Sequence, residues 1–441
     1  MEQNKQSSSL AEAFEQGAKY FVEECTLCGQ CLEACPSFND PKLELNDKNP
    51  AEVMEKIVDL LKGGPSSEEA YKMGYGCLMG CTNICKPACP KDLNMQQAFM
   101  VAGQRLRAAG EGLPPLSFMH LAEHRYNFGH VFGDLQMKKS EVPWLTEVPS
   151  EQAAVDVVIF TSCVGRGFPN LVLEAMDILS SMKINFAVIG ARDLCCGGTP
   201  LLLGNMKDVS RVSEKYISTM AKFGAGKVVA MCPACSVVGN DMLSKFSRVP
   251  FETIHITEFL ADNIDKLHFT HPLNKRVTIH DACSQRQRGS WDIPRKLLEA
   301  IPGLTLVEME HSRENSLCCG AQANANFPGL MIERNIARLN EAMAVRADIM
   351  TTICPGCQLA FCGYENQYPF EIKHAISLVA EAMGIHHEDK VKKYLLTGDP
   401  EKVLEEASEY VEASDLSLLE YQQILPRYFQ TLCVSRGFPP S

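Results

Sequence analysis

The chain has 441 residues, 46% hydrophobic and 22% charged, enough apolar mass for about three domains. A formal charge of −12 argues against a nucleic-acid binder, which needs a basic face. No stretch approaches the roughly 18 consecutive apolar residues of a membrane span. Residues 1–20 lack the basic start and apolar run of a secretory leader, so the twenty cysteines are expected as thiols in a reducing cytoplasm. Any attachment to the cytoplasmic face of a membrane then comes through a partner.

After the N-terminal extension, residues 1–20, the first pattern is Cys25-x-x-Cys28-x-x-Cys31-x-x-x-Cys35-Pro36. This is the bacterial ferredoxin spacing, in which three close thiolates grip one cubane [4Fe–4S] cluster and the fourth reaches the neighbouring cluster. A second group, Cys77, Cys81, Cys85 and Cys89-Pro90, has three residues in each gap, a departure from that spacing. Cross-ligation then groups Cys25, Cys28 and Cys31 with Cys89, and Cys77, Cys81 and Cys85 with Cys35. Structural zinc is the alternative, although zinc takes four ligands, usually in separated pairs. Residues 50–64 carry apolar side chains at helical intervals and end in two glycines, which predicts a helix whose Met and Leu residues belong to the core rather than to a cofactor. Residues 21–145 thus read as a helical domain for two clusters.

Next a pattern is written twice, about 120 residues apart: Cys163, Cys195-Cys196 and Cys232-Pro-Ala-Cys235, then Cys283, Cys318-Cys319 and Cys354-Pro-Gly-Cys357. In each copy, at residues 150–265 and 270–385, β-rich runs precede the first cysteine, the Cys-Cys-Gly turn and the Cys-x-x-Cys, with helical stretches between them. Strand–helix alternation predicts a parallel sheet whose carboxyl ends bring the cysteines to one crevice. Gly197, Gly198 and Gly320 let backbone approach a bulky group. Five thiols exceed what zinc uses, whereas a multi-iron cluster takes more, including a bridging one. The expected fold is α/β, a helical two-cluster ferredoxin-like domain followed by two tandem Rossmann-like cysteine-rich domains.

His280 and Asp281, before Cys283, are placed to supply a proton to a leaving thiolate, or are structural. His255 and His374 each open an apolar helix-like run and divide between packing and site roles. Arg286, Arg288, Arg295 and Lys296 offer an anion site or a solvated face. Cys362 and Cys433 fall outside the patterns and read as packing or free thiols. Residues 386–441 read as an acidic helical tail, docked or solvated.

The Cys-Cys-Gly repeats, with residues 280–303 (HDACSQRQRGSWDIPRKLLEAIPG) and 314–320 (ENSLCCG), resemble heterodisulfide reductase catalytic subunits of the type that fuses a two-cluster ferredoxin domain to two cysteine-rich domains. The resemblance covers roughly residues 20–385. It implies that each five-cysteine set holds a noncubane [4Fe–4S] cluster and that a disulfide is split between the two. It also implies one-electron supply from two cubane clusters. The same architecture resembles iron–sulfur subunits of flavin dehydrogenases for glycolate, lactate or glycerol 3-phosphate, in which this chain is a conduit. No glycine-rich Rossmann fingerprint follows a strand, so flavin is expected on a partner. The partners implied are redox subunits, a membrane cytochrome or a flavoprotein, and a small disulfide as substrate.

Overall fold

The computed structural model describes residues 10–77, 84–114, 116–149, 154–244 and 247–434. Leu10–Glu24 is helical because Leu10, Phe14, Ala18 and Phe21 recur every three or four residues and bury one face. Part of the expected extension therefore belongs to the N-terminal core, packed against the helix Met95–Ala108. Gln97 Nε2 donates to Ala13 O at 3.1 Å, and Arg105 pairs with Glu15 at 2.6 Å.

The helix expected near residues 50–64 spans Pro50–Leu61. Asn49 caps it by accepting from the Ala51 N–H at 2.9 Å, and Pro50 sits in the first turn, where a missing N–H costs nothing. Its face of Val53, Met54, Ile57, Val58 and Leu61 is buried, each such side chain contributing roughly 1.5–3 kcal/mol.

Two parallel four-stranded sheets follow. Strands β1 (Val157–Phe160), β2 (Phe186–Ile189), β3 (Lys227–Ala230) and β4 (Glu252–His255) lie in the order β2-β1-β3-β4. Strands β5 (Arg276–His280), β6 (Thr305–Leu306), β7 (Ile349–Thr352) and β8 (Glu371–His374) repeat it as β6-β5-β7-β8. Crossover helices cover both faces, which is why β1 and β7 are buried along their whole length rather than alternately. The strand order reverses between β1 and β3 and between β5 and β7. Cys163 and Cys232 follow the first pair, Cys283 and Cys354 the second, so the cysteines lie where open α/β sheets bind.

β4 and β8 were not among the expected strands, because ETIH and EIKH are short and half polar. His255 and His374 end these strands and, as expected, also open the helices that follow. Their Nδ1 atoms accept from the Thr257 and Ile376 N–H groups at 3.2 and 3.3 Å, capping the helices Ile256–Asp262 and Ala375–Ala382. Both rings are buried, and capping is the role that the contacts give them.

The tail is not a solvated helix. Val391, Tyr394, Leu395, Tyr421, Leu425 and Tyr428 join the main core. Tyr394 Oη donates to Leu135 O at 3.0 Å and Tyr428 Oη to Tyr126 O at 2.5 Å. Its acidic residues meet basic ones before the first repeat, as in Arg125–Glu420 and Lys138–Glu409. Among the described residues no helix is long and apolar enough to cross a membrane.

Candidate metal centres

Cys25, Cys28, Cys31 and Cys89 converge on one pocket with Phe21, Leu93 and Met95, although 58 residues separate Cys31 from Cys89. Gly29 makes the turn: its φ is +74°, and a Cβ there would lie 2.7 Å from the Ala51 nitrogen. Met54, expected only as core, also lines this pocket. Cys28 is exposed and Cys31 buried, so this group opens to the surface.

Cys35, Cys77 and Cys85 form the inner group. Burial pushes the Cys77 thiol well up, and Cys35 and Cys85 add to the shift. Cys85 rises to about 12, through burial and then Cys35. Cys31 also rises to about 12, with Cys85 the next cause after burial, so the two groups are neighbours. Cys81 lies outside the described residues. Thiols so resistant to ionising alone become good donors when a cation takes the proton's place.

The ten cysteines of the two repeated sets make one connected array. Cys196 Sγ lies 3.4 Å from Cys235 Sγ, and Cys319 Sγ 3.3 Å from Cys357 Sγ. Cys163 contacts Cys195, and Cys283 contacts Cys318. Cys232 of one repeat contacts Cys354 of the other. Local structure explains each position. The Gly197 and Gly320 N–H groups donate to Cys195 and Cys318 Sγ at 3.3 and 3.4 Å. Both glycines are left-handed, at φ +96° and +66°, and a Cβ would collide with Ser213 or Met331, so the adjacent cysteines are followed by glycine. Cys232 and Cys354 precede helices that start with proline, Pro233–Ser236 and Pro355–Phe361, which puts Cys235 and Cys357 in the first turn.

All of these thiols except Cys195 line a cavity of about 900 Å³. Phe14, Met100, Leu202, Val238 and Met242 give its wall an apolar surface, and the N-terminal domain contributes Asn94, Gln96 and Gln97. Each side offers five sulfur donors, and the second side adds a ring nitrogen of His280 close to Cys319 and Cys357. That chemistry fits an iron–sulfur cluster and exceeds the tetrahedral demand of zinc.

Of the alternatives offered for the supporting residues, the contacts favour the structural ones. His280 Nδ1 accepts from Arg338 Nε at 3.3 Å, and the ring packs edge-on against Phe361. Burial and Arg338 drive its pKa well down, so the ring is neutral, with Nδ1 accepting and Nε2 without a hydrogen-bond partner among the described residues. It nonetheless has a ring nitrogen grouped with Cys319 and Cys357 Sγ within 4.8 Å. Asp281 is locked by Arg295 at 2.6 and 2.9 Å and accepts the Arg313 N–H at 2.8 Å. Arg295 also holds Glu308 at 2.6 Å, and Arg288 pairs with Glu258 at 3.0 Å. Lys296 Nζ donates to Ala261 O at 3.3 Å. Arg295 and Lys296 are thus engaged by the protein, while Arg288, though paired with Glu258, also lines the cavity. The side chains of Arg286 and Cys433 lie outside the described residues, and Cys362 is fully buried.

His120 was missed. It lies in the turn Ser117–His120, lines the cavity, and its Nε2 is buried with no hydrogen-bond partner among the described residues. Burial lowers its pKa to about 4. No spacing in the sequence marks it, because a linker turn carries no periodicity.

Residues 157–238 and 277–362 match the cysteine-rich domain family CCG, and residues 24–94 match the 4Fe-4S dicluster domain family. The chain is 29% identical over 399 residues to a subunit of the dihydromethanophenazine:CoB–CoM heterodisulfide reductase of Methanosarcina barkeri, covering 82% of this chain and 94% of that one. It is 23% identical to the EtfAB:quinone oxidoreductase of Syntrophomonas wolfei, over 76% of this chain and 54% of that protein. A hypothetical protein from Helicobacter pylori shares the fold, with a TM-score of 0.50 at 12% identity over 86% of this chain and 74% of that one.

Proposed function

The chain belongs to the heterodisulfide reductase family that joins a 4Fe-4S dicluster domain to two cysteine-rich domains, and from this premise we propose that it splits a disulfide in the cavity between its two five-cysteine sets. The observation that carries the reading is the contact of Cys232 with Cys354, which joins two complete sets across one cavity. Bound there, iron–sulfur clusters supply one-electron steps and Lewis-acidic iron for the separating sulfurs.

The chain's own residues do the rest. Cys163, Cys195, Cys196, Cys232 and Cys235 hold one centre, and Cys283, Cys318, Cys319, Cys354 and Cys357 the other. Splitting a disulfide consumes two electrons and two protons and yields two thiols, so two facing one-electron centres divide the task. Cys25, Cys28, Cys31 and Cys89 form the entry site, since Cys28 reaches the surface, and Cys35, Cys77, Cys81 and Cys85 the inner relay. The apolar wall excludes water from the reacting sulfurs. His120 Nε2 and Gln322 Nε2, both lining the cavity without a hydrogen-bond partner among the described residues, are free to hydrogen-bond to the substrate. Redox partner subunits, a membrane cytochrome or flavoprotein, deliver the electrons on the cytoplasmic side.

A second reading rests on the likeness to the EtfAB:quinone oxidoreductase, in which this chain relays electrons within a larger complex and no disulfide is split. Iron, sulfide and zinc per chain, measured on anaerobically purified protein together with disulfide turnover, separate these readings. About sixteen irons, four for each of four clusters, with turnover supports the first, and the same iron without turnover supports the relay. About eight irons with zinc refutes both five-cysteine centres.

A further inference from the structure

Arg166 is only 1% exposed, in the turn Gly165–Gly167 just past Cys163. Its Nη1 donates to Ala191 O at 3.0 Å and lies 3.1 Å from His130 Nε2. Its Nε and Nη2 have no hydrogen-bond partner among the described residues. A guanidinium stays charged in a protein, and burying one without a counter-charge is costly. The anionic groups that act on it most are the thiols of Cys163 and Cys195. Asp193 is further off in effect and is paired with Lys215 at the surface. The backbone fixes this placement. A Cβ at Gly129 would meet Cys163 O and lie 2.9 Å from Arg166 Cβ, and one at Gly133 would lie 2.8 Å from Arg166 O. Gln136 Nε2 donates to Gly167 O at 2.9 Å.

On the iron–sulfur reading above, we propose that Arg166 is a positioning residue whose charge and two remaining N–H donors face the centre held by Cys163, Cys195, Cys196, Cys232 and Cys235 and raise its reduction potential. Positive charge and hydrogen bonds at cluster sulfur stabilise an added electron, more strongly in a buried site than in water. At the matching place in the second set stands Arg286, whose side chain lies outside the described residues. The cation acting on Cys318 is Arg334, which is part-exposed and also acts on Cys35, so solvent screens it and two sites share it.

The test uses anaerobic full-length holoprotein grown with nitrogen-15 arginine and examined by pulsed EPR during stepwise reduction. A nitrogen-15 coupling on one cluster signal is expected; its absence from every signal at full iron content overturns the proposal. In Arg166→Gln, the reduced-to-oxidised ratio of that one cluster at fixed potential should fall at least tenfold, about 59 mV for a one-electron couple, with part restored in Arg166→Lys. Unchanged potentials, or an equal shift of every signal, overturn it as well. Should Arg166→Gln fail to load iron, the labelled wild-type protein still decides. An iron count near eight with zinc instead removes the reading on which the proposal rests, and the proposal with it.

Discussion

Glu174 ties pH to the packing that holds the two cysteine sets face to face. It lies on the helix Pro169–Ser181, 3% exposed, and accepts from Ser377 Oγ at 2.7 Å on the helix Ala375–Ala382 of the other repeat. Burial, the largest cause, raises its carboxyl from 4.5 to about 8. In the unfolded chain it ionises near the lower value, so between the two values the folded state holds one proton more. Stability from this group is therefore full below about pH 4.5 and falls as pH rises through about 8. Crossing the whole window costs roughly 5 kcal/mol, and the part from about pH 5.5 to 8 roughly 3 kcal/mol. Glu174→Gln keeps the size and an acceptor for Ser377 but cannot ionise. Thermal unfolding of anaerobic wild-type and variant holoprotein, compared across this range, should show the variant gaining relative stability as pH rises, by several degrees. Cluster chemistry common to both proteins cancels in the difference. Parallel curves from about pH 5.5 to 8.5 would refute a neutral Glu174 in the interface.

Cys89→Ser and Cys35→Ser test the exchange of ligands in the N-terminal domain. Cys89→Ser should perturb the EPR signal of the surface cluster and Cys35→Ser that of the inner one, and the opposite pairing would reject the grouping of Cys89 with Cys25, Cys28 and Cys31. Cys196→Ser and Cys319→Ser should each abolish disulfide turnover while the cubane signals persist; retained turnover removes the two-centre reading. Asp281→Ala strands Arg295, which is 3% exposed, and should cost about 3–5 kcal/mol in denaturant unfolding. A loss under about 1 kcal/mol would show that Glu308 and solvent suffice for Arg295.

What was legible in the sequence is what local spacing controls. A cysteine at a strand tip, a glycine forced to positive φ after Cys196 and Cys319, and a proline opening a helix after Cys232 and Cys354 are each decided within a few residues, so both five-cysteine sets and the parallel sheets could be read directly. What was not legible depends on remote partners. Asp281 stood open between proton source and structural residue until Arg295 was seen to hold both its oxygens, and the acidic tail looked solvated until its tyrosines met the backbone at residues 126 and 135. Arg166 shows the limit well. It stands three residues after Cys163, as Arg286 does after Cys283, yet only Arg286 drew attention, because it has basic neighbours in sequence. Burial and missing partners, not local composition, distinguish Arg166.

The same contrast explains why a duplicated motif can yield two unlike centres. Duplication copies ligands and strand order, which are local, and so gives two sets of five thiols on matching sheets. It does not copy what packs around them. The first set lies against the sealed cation Arg166, while the second lies beside the inner group of the N-terminal domain, with Cys318 in the same apolar cluster as Cys35 and Cys85. The Cys232–Cys354 contact joins the two across the cavity. Matched ligand sets thus meet across one cavity while the elements packed around each are particular to its repeat.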